Sequence, residues 1–305
     1  MENQNKPAHR FGIVTLIGRP NAGKSTLLNY LVGEKIAIVT DKPQTTRTRI
    51  MGILTDPDWQ MVLLDTPGVH KPMDRLGQNM LDTAFSALEA ADVVYYLVDA
   101  TVDWGSGEAF LLQQLAKVKV PIFLLLNKVD LIPKEKLLPL IDFFRGKHDF
   151  KQIVPISAKK GDNIRVLLKE TVKCLPEGPA CYEEDEMTDQ PERVLAAEMI
   201  REKAILATRQ EVPYAIAVMV EQMKMRSETL MDIHAVLVVE RDSQKGILIG
   251  KQGQTLKWIG TEARKDIEAM LGMPVNLQLW VRVKADWRNQ PYQLKNLGLE
   301  DTTDF

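Results

Sequence analysis

Eight residues near the N-terminus, Gly18-Arg19-Pro20-Asn21-Ala22-Gly23-Lys24-Ser25, have the types and spacing of a phosphate cradle. Glycines at its two ends let backbone N–H groups turn inward around phosphate oxygens. A helix beginning at Lys24 would add the partial positive charge of its N-terminus, and Thr26 would follow on that first turn. Lys24 is expected to reach the β- and γ-phosphates, and the Ser25 hydroxyl to ligate Mg2+. Three further clusters fit the same chemistry. Asp65-Thr66-Pro67-Gly68 can support a magnesium shell through its carboxylate and offer the Gly68 N–H to a γ-phosphate. Asn127-Lys128-Val129-Asp130 can read a base, because a carboxylate at Asp130 accepts from guanine N1–H and the 2-amino group together. Adenine lacks both donors and would leave that carboxylate unpaired. Ser157-Ala158-Lys159 can add a backbone N–H facing guanine O6. Between the first two clusters, Thr45 and Thr46 are both candidates for a switch hydroxyl that closes over Mg2+, Thr46 being preferred.

These clusters need elements that hold them at one edge. The short apolar runs Phe11–Ile17, Trp59–Leu64, Val93–Val98, Pro121–Leu126 and Ile153–Ile156 read as buried strands. Helical spacing of apolar residues fills Lys24–Val32, Arg75–Ala91, Glu108–Lys117, Lys134–Phe144 and Asn163–Cys174. Such alternation predicts a mostly parallel sheet with helices on both faces, and each cluster directly follows a strand, where ligands of such sheets bind.

The rhythm breaks at 176–191, which holds three prolines and six acids (Glu177, Glu183, Glu184, Asp185, Glu186, Asp189) and no Lys or Arg. It reads as a linker kept extended by like charges. Beyond it the pattern becomes helix (Glu192–Thr208), strand (Tyr214–Met223), strand (Asp232–Glu240), helix (Gln244–Ile249), helix (Gln254–Leu271), strand (Val275–Val283), the order of a smaller α+β domain. The expected division is 1–10 as a flexible N-terminus, 11–175, the linker 176–191, 192–288, and a tail 289–305. Gly250-Lys251-Gln252-Gly253 joins the two adjacent helices, with Lys257 a turn later. Its glycines would admit a sugar–phosphate backbone, and an apolar face beside it would take unstacked bases. The whole chain carries a formal charge of −2, yet 240–295 has ten Lys or Arg against six acids. That local excess favours single-stranded RNA. Trp258, Trp280 and Trp287 are candidates for stacking on bases, with core or interface packing the preferred role for each.

The five nucleotide motifs in this order, GRPNAGKSTLLN, PQTTR, DTPG, NKVD and ISA, resemble those of the bacterial Era GTPases. The helix–strand–strand–helix–GxxG–helix–strand pattern is similar to a KH domain of the second topological type. The resemblance implies an α/β P-loop GTPase domain (mostly parallel sheet, helices on both faces) followed by a smaller α+β type II KH domain. It also implies GTP and GDP as ligands, Mg2+ dependence, slow hydrolysis, and a role in maturing the small ribosomal subunit at the 3′ end of 16S rRNA. Val69 stands where signalling GTPases carry a water-orienting Gln, so no single side chain is evidently catalytic. Hydrolysis would rest on positioning by Lys24, Thr46 and Gly68. In similar GTPases with a P-loop Asn, a K+ ion supplies the charge of an arginine finger. For Asn21 that role and simple stabilisation of the loop both stay open.

The polar Met1–Arg10 lacks the apolar stretch of a signal peptide, no apolar run spans a membrane, and Cys174 and Cys181 match no metal or redox spacing. A monomer in the cytoplasm is expected. Two rival readings remain: a second domain that binds a protein partner through its sheet edge, and a peripheral GTPase associating weakly with the cytoplasmic membrane through its basic patch. Gln254–Leu271 argues against the second, since it interleaves acids with bases.

Overall fold

The computed structural model describes residues 9–300, so most of the expected flexible N-terminus 1–10 and the end of the expected tail 289–305 lie outside the described residues. The chain divides into two compact units.

The first unit comprises the described residues up to Ala37, Thr46–Lys71 and Met80–Asp189. Its elements are β1 (Arg10–Gly18), α1 (Lys24–Val32), β2 (Ile50–Asp56), β3 (Trp59–Asp65), α2 (Arg75–Glu89, whose first turn falls in the other unit), β4 (Val93–Asp99), α3 (Ser106–Leu115), β5 (Ile122–Asn127), α4 (Leu137–Arg145), β6 (Gln152–Pro155) and α5 (Ile164–Val172). The six strands form one sheet in the order β2-β3-β1-β4-β5-β6, parallel except for β2. Side chains alternate between faces. Val14, Leu16, Leu63, Tyr95 and Phe123 pack against Leu27, Leu28 and Leu167 of α1 and α5. Val94, Tyr96, Leu124 and Leu126 pack against Ala84, Leu111, Leu115 and Phe144 of α2, α3 and α4. Both faces are therefore covered, which explains why the strands read as continuous apolar runs.

Sequence reading passes over β2, which pairs antiparallel with β3 at the sheet edge. It follows directly on the polar stretch around Thr45 and Thr46, and it has no helix of its own to mark a repeat of the alternation.

The acidic segment is not a free spacer. Gln60, fully buried on β3, accepts from the backbone N–H of Cys181 (2.7 Å) and Tyr182 (3.0 Å) and donates to Tyr182 O (2.9 Å). Ile53 N–H donates to Met187 O (2.9 Å) and the Thr188 hydroxyl to Met51 O (2.6 Å). An edge strand presents unpaired backbone groups. Here the segment engages two of them, Ile53 N–H and Met51 O, so it is tied to the sheet rather than extended into solvent.

The second unit comprises Ile38–Thr45, Pro72–Asn79 and the chain from Gln190 onward. It contains α6 (Glu192–Leu206), a short α7 (Val212–Ala215), β7 (Ala217–Ser227), β8 (Leu230–Val239), α8 (Asp242–Ile249), α9 (Gln254–Leu271), β9 (Val275–Val283) and α10 (Pro291–Asn296). Its sheet runs β7-β8-β9, with β8 antiparallel to β7 and parallel to β9. One face is covered by α6 and α9, through Met199, Ile200, Ala204, Ile259, Ala263 and Ile267 against Ile233, Ala235, Leu237 and Val275. Two pieces of chain from the first half, 38–45 and 72–79, thus belong to a unit built mainly from residues beyond 190, a division that local pattern does not reveal.

Candidate functional site: a nucleotide cradle and a GxxG groove

The cradle forms because β1 runs straight into a loop whose backbone only certain residues tolerate. Gly23 has φ +96°, and a Cβ there would lie 2.1 Å from Asn127 Nδ2. Asn21 is also left-handed, at φ 64°, a conformation Asn adopts more readily than most residues. A Cβ on Gly68 would lie 2.7 Å from the Pro20 backbone, and Val69 N–H donates to Gly18 O (3.1 Å), so the loop after Asp65 rests on the cradle. Arg19 leans the other way, its guanidinium 3.1 Å from the Glu108 carboxylate of α3.

Lys24 is buried, and its ammonium donates to Gly18 O (3.1 Å) and Arg19 O (3.2 Å), spanning the loop from inside. Burial lowers its pKa to about 8, with the Asp65 carboxylate opposing the shift. Asp65 is fully buried, and burial raises its pKa to about 6 against the pull of Lys24 and of hydrogen bonds from Ser25, Thr46 and Thr66. Ser25 Oγ donates to Asp65 Oδ2 (2.6 Å) and lies 2.9 Å from Thr46 Oγ1. Among the described residues Asp65 Oδ1 is buried without a partner. Two hydroxyls and one carboxylate with a spare oxygen make a hard, all-oxygen donor set, which suits Mg2+ together with phosphate oxygens and water. Among the described residues no group of three or more His, Cys, Asp or Glu could hold a metal by itself.

Of the two switch threonines, Thr46 carries the hydroxyl beside Ser25. The Thr45 hydroxyl is engaged locally, 2.7 Å from Thr40 Oγ1 and donating to Lys42 O at 2.7 Å. Thr66 points inward and donates to Leu16 O (2.7 Å), so only its backbone faces Asp65.

At the base-reading end, Asn127 spends both ends of its amide on the protein. Its Nδ2 donates to Ala22 O (2.8 Å), and its Oδ1 accepts from Ala158 N–H (2.9 Å), lashing the cradle to the Ser157–Lys159 loop. Lys128, left-handed at φ 66°, pairs with Asp99 at 2.5 Å. Asp99 is partly desolvated, but Lys128 and the Thr101 hydroxyl and N–H hold its carboxyl below the usual range. Asp130 is largely shielded, with Lys160 the nearest cation at 3.7 Å. Ser157 is buried with its hydroxyl accepting from Lys160 N–H (3.2 Å), while Lys159 is exposed. Val129 and Pro67 carry backbone between these groups. Asp99, Glu108 and Lys160 were not singled out from sequence. Each acts on a motif residue tens of positions away or, for Lys160, in a different motif.

In the second unit, Gly250 (φ 72°) and Gly253 (φ 77°) bracket Gln252, itself at φ 51°. A Cβ on Gly250 would meet Thr255 Oγ1 at 2.1 Å, whereas nothing lies within 4 Å of one on Gly253. Lys251 and Gln252 are exposed. Beside the loop lies a cleft of about 320 Å³ lined by Gly253, Leu256, Lys257, Gly260, Thr261, Arg264, Leu277 and Leu279. Its floor is apolar and its rim carries Lys257 and Arg264. Gly260 leaves α9 narrow there, a Cβ at that position coming 3.4 Å from Leu279. From sequence Arg264 entered only the basic excess of 240–295, and the two leucines of β9 were not singled out, although two-residue alternation in β9 places both on one face. The tryptophans divide. Trp287 is buried with its indole N–H donating to Ala215 O (3.0 Å), as packing requires. Trp258 and Trp280 are exposed (45% and 47%), so of the two packing roles expected, packing in the core applies to Trp287 alone. Trp280 sits edge-on to His234 on the sheet face opposite Leu277 and Leu279.

Two family models match the chain. Residues 13–128 match the family described as 50S ribosome-binding GTPase, and residues 211–288 match the KH domain family. The GTPase Era of Ruminiclostridium cellulolyticum is 50% identical over 291 residues, covering 95% of this chain and 98% of that protein. The GTPase Era of Lacticaseibacillus paracasei is 49% identical over 290 residues, covering 95% and 97%. Among solved structures, Era in complex with MgGDPNP and nucleotides 1506–1542 of 16S ribosomal RNA matches with a TM-score of 0.94 at 42% identity, covering 96% of this chain and all of that one. An Aquifex aeolicus Era variant bound to GDP·AlF4− matches with a TM-score of 0.93 at 42% identity over the same shares. With a phosphate cradle, a guanine-reading end and a GxxG groove in one chain, and relatives this similar along nearly its whole length, the chain belongs to the Era family of GTPases.

Proposed function

We propose that this chain is a GTP-driven RNA-binding switch that engages the 3′ end of 16S rRNA through its GxxG groove and acts in maturing the small ribosomal subunit. The observation that carries this reading is the coexistence of the Ser25–Thr46–Asp65 oxygen cluster with an apolar cleft rimmed by Lys257 and Arg264. The first is the kind of site that senses a γ-phosphate. The second has the chemistry of a single-strand groove. A bound Mg2+ would neutralise charge developing between the β- and γ-phosphates. Lys24 adds its positive charge from inside the loop, Gly68 offers a backbone N–H, and Thr46 closes beside Ser25. Asp130 selects guanine, and the Asn127 lashing keeps the base-reading and phosphate ends in register. With Val69 in place of a water-orienting side chain, hydrolysis proceeds slowly by positioning alone. Asn21 at the rim of the cradle recruits K+ as an additional charge. The protein works as a monomer in the cytoplasm. Among the described residues no helix is long and apolar enough to cross a membrane.

The deciding experiment measures affinity for a short single-stranded RNA of the 16S 3′ sequence with GDPNP and with GDP. A clear preference for RNA in the GDPNP form supports the switch, and by linkage RNA must then tighten GDPNP binding by the same factor. Equal affinity in the two forms removes the coupling.

A further inference from the structure

A buried arginine in the second unit has no part in the motifs described so far. Arg201 lies on α6 with only 2% of its side chain exposed. Its Nε and Nη2 donate to the two carboxylate oxygens of Glu198 (2.7 and 2.5 Å), and Nη2 also donates to the backbone carbonyl of Thr45. Its Nη1 is buried without a partner among the described residues. The next residue on the helix, Glu202, accepts from Val39 N–H (3.1 Å). The segment 38–45, which belongs to this unit, is therefore held at both ends by adjacent residues of one helix. Between them the Thr40 and Thr45 hydroxyls, 2.7 Å apart, tie the segment to itself.

This is an expensive way to fasten a loop. Removing a guanidinium from water is costly, and one nitrogen left unpaired is more so, so an apolar side chain of similar length would pack here at lower cost. What the guanidinium supplies is directional: it fixes the orientation of one peptide plane. That plane joins Thr45 to Thr46, and Thr46 Oγ1 lies 2.9 Å from Ser25 Oγ in the cradle. A misplacement of about 1 Å suffices to lose such a contact. On its other side α6 is linked to the helix lining the RNA cleft, for Lys203 pairs with Asp266 of α9 at 2.7 Å and with Glu202 at 3.0 Å. The three consecutive residues Arg201, Glu202 and Lys203 thus connect the approach to Thr46 with α9.

We propose that Arg201 is a positioning residue for the nucleotide switch: by holding the Thr45 carbonyl it sets the Thr46 hydroxyl for the GTP state and passes the state of that peptide to α6 and the RNA groove. The second half of this proposal rests on the coupling put forward above. The first half does not.

The test uses the full chain with Arg201→Met, which keeps length and apolar volume and removes the donors. Three readouts are taken: release of fluorescent GDPNP and GDP at saturating and limiting Mg2+, hydrogen exchange over 39–49 and over α6, and RNA affinity in each nucleotide form. The variant is expected to release GDPNP faster by on the order of tenfold, the usual worth of a charge-assisted hydrogen bond, while GDP release stays within about twofold, since only the triphosphate form calls on Thr46. Exchange over 39–49 should rise, and the RNA preference for the GDPNP form should shrink towards one. Equal acceleration of GDPNP and GDP release would mark Arg201 as merely structural and overturn the proposal, as would unchanged release of both. If the wild-type chain shows no RNA preference, the coupling reading fails while the positioning claim is still decided by release and exchange. Should Arg201→Met not fold, the wild-type chain answers by itself. Exchange in α6 must differ between GDPNP and GDP, and identical α6 exchange in the two forms overturns the link.

Discussion

Asp65 and Lys24 are buried side by side with both pKa values displaced toward neutrality, Asp65 up to about 6 and Lys24 down to about 8. Without ligand, the folded state binds the Asp65 proton more tightly than the unfolded chain does. Its raised pKa therefore favours folding below the ordinary carboxylate pKa near 4, and that benefit is lost as pH rises through about 6. If Asp65 supports Mg2+ as proposed, binding of a Mg2+–nucleotide needs the carboxylate ionised, and its apparent affinity should fall by about tenfold per pH unit below 6 and level off above it. Titration of fluorescent GDPNP between pH 5 and 8 checks this. Asp65→Asn should flatten the profile, weaken Mg2+-dependent binding and raise the melting temperature of the nucleotide-free protein at pH 7. Asn21, left-handed at the cradle rim, yields a second expectation. Replacing K+ by Na+ at constant ionic strength should slow hydrolysis severalfold with GDP affinity unchanged, and equal rates would leave Asn21 as a loop stabiliser only.

At the scale of elements, two segments depend on single side chains from elsewhere. The strap after Leu175 is held through Gln60, whose amide engages Cys181, Tyr182 and Thr55. Gln60→Leu keeps the volume but leaves those backbone groups unpaired. It should cost about 2–3 kcal/mol and open 176–189 to protease, with nucleotide affinity little changed. The GxxG loop is positioned by α8 and α9 but offers its own exposed side chains. Lys251→Asp with Gln252→Asp should abolish RNA binding and leave GTP hydrolysis intact, because neither residue lines the core. RNA binding that survives this double substitution would move the second unit toward a protein partner.

Across the molecule, the second unit draws in 72–79 as well as 38–45. Arg288 anchors the first of these, pairing with Asp74 (2.9 Å) and Glu240 (2.8 Å). Although partly desolvated, its guanidinium is held above its ordinary pKa by the carboxylates of Glu240, Asp74 and Asp286. Arg288→Met takes the shared cation from Asp74 and Glu240, leaving Asp74 the Gly77 N–H (2.8 Å). We expect a loss of about 3 kcal/mol in chemical denaturation and faster hydrogen exchange over 72–79, the stretch that holds the first turn of α2. An unchanged melt would show that solvent readily takes the place of Arg288.

The loop at 18–25, the segments at 127–130 and 157–159 and the GxxG loop were legible in the amino-acid sequence, because each uses the backbone of a few consecutive residues and so leaves its requirements in adjacent letters. Gly250 is a glycine for a reason visible within its own loop, where Thr255 takes the space of a Cβ, whereas at Gly23 that space is taken by Asn127 from far along the chain. Most of the strands and helices were legible there too, since burial on both faces of a parallel sheet writes itself as apolar runs. It took the folded chain to show which threonine faces Ser25, that Asn127 lashes two loops 105 and 31 residues away, and that the acidic segment follows an edge strand. The folded chain also shows that Trp258 and Trp280 are exposed while Trp287 is buried, and that a buried arginine of α6 holds the carbonyl before Thr46. The physical reason is common to these cases. Each is a single hydrogen bond or packing contact between residues far apart in the chain, and such a contact imposes no periodicity on the residues around it.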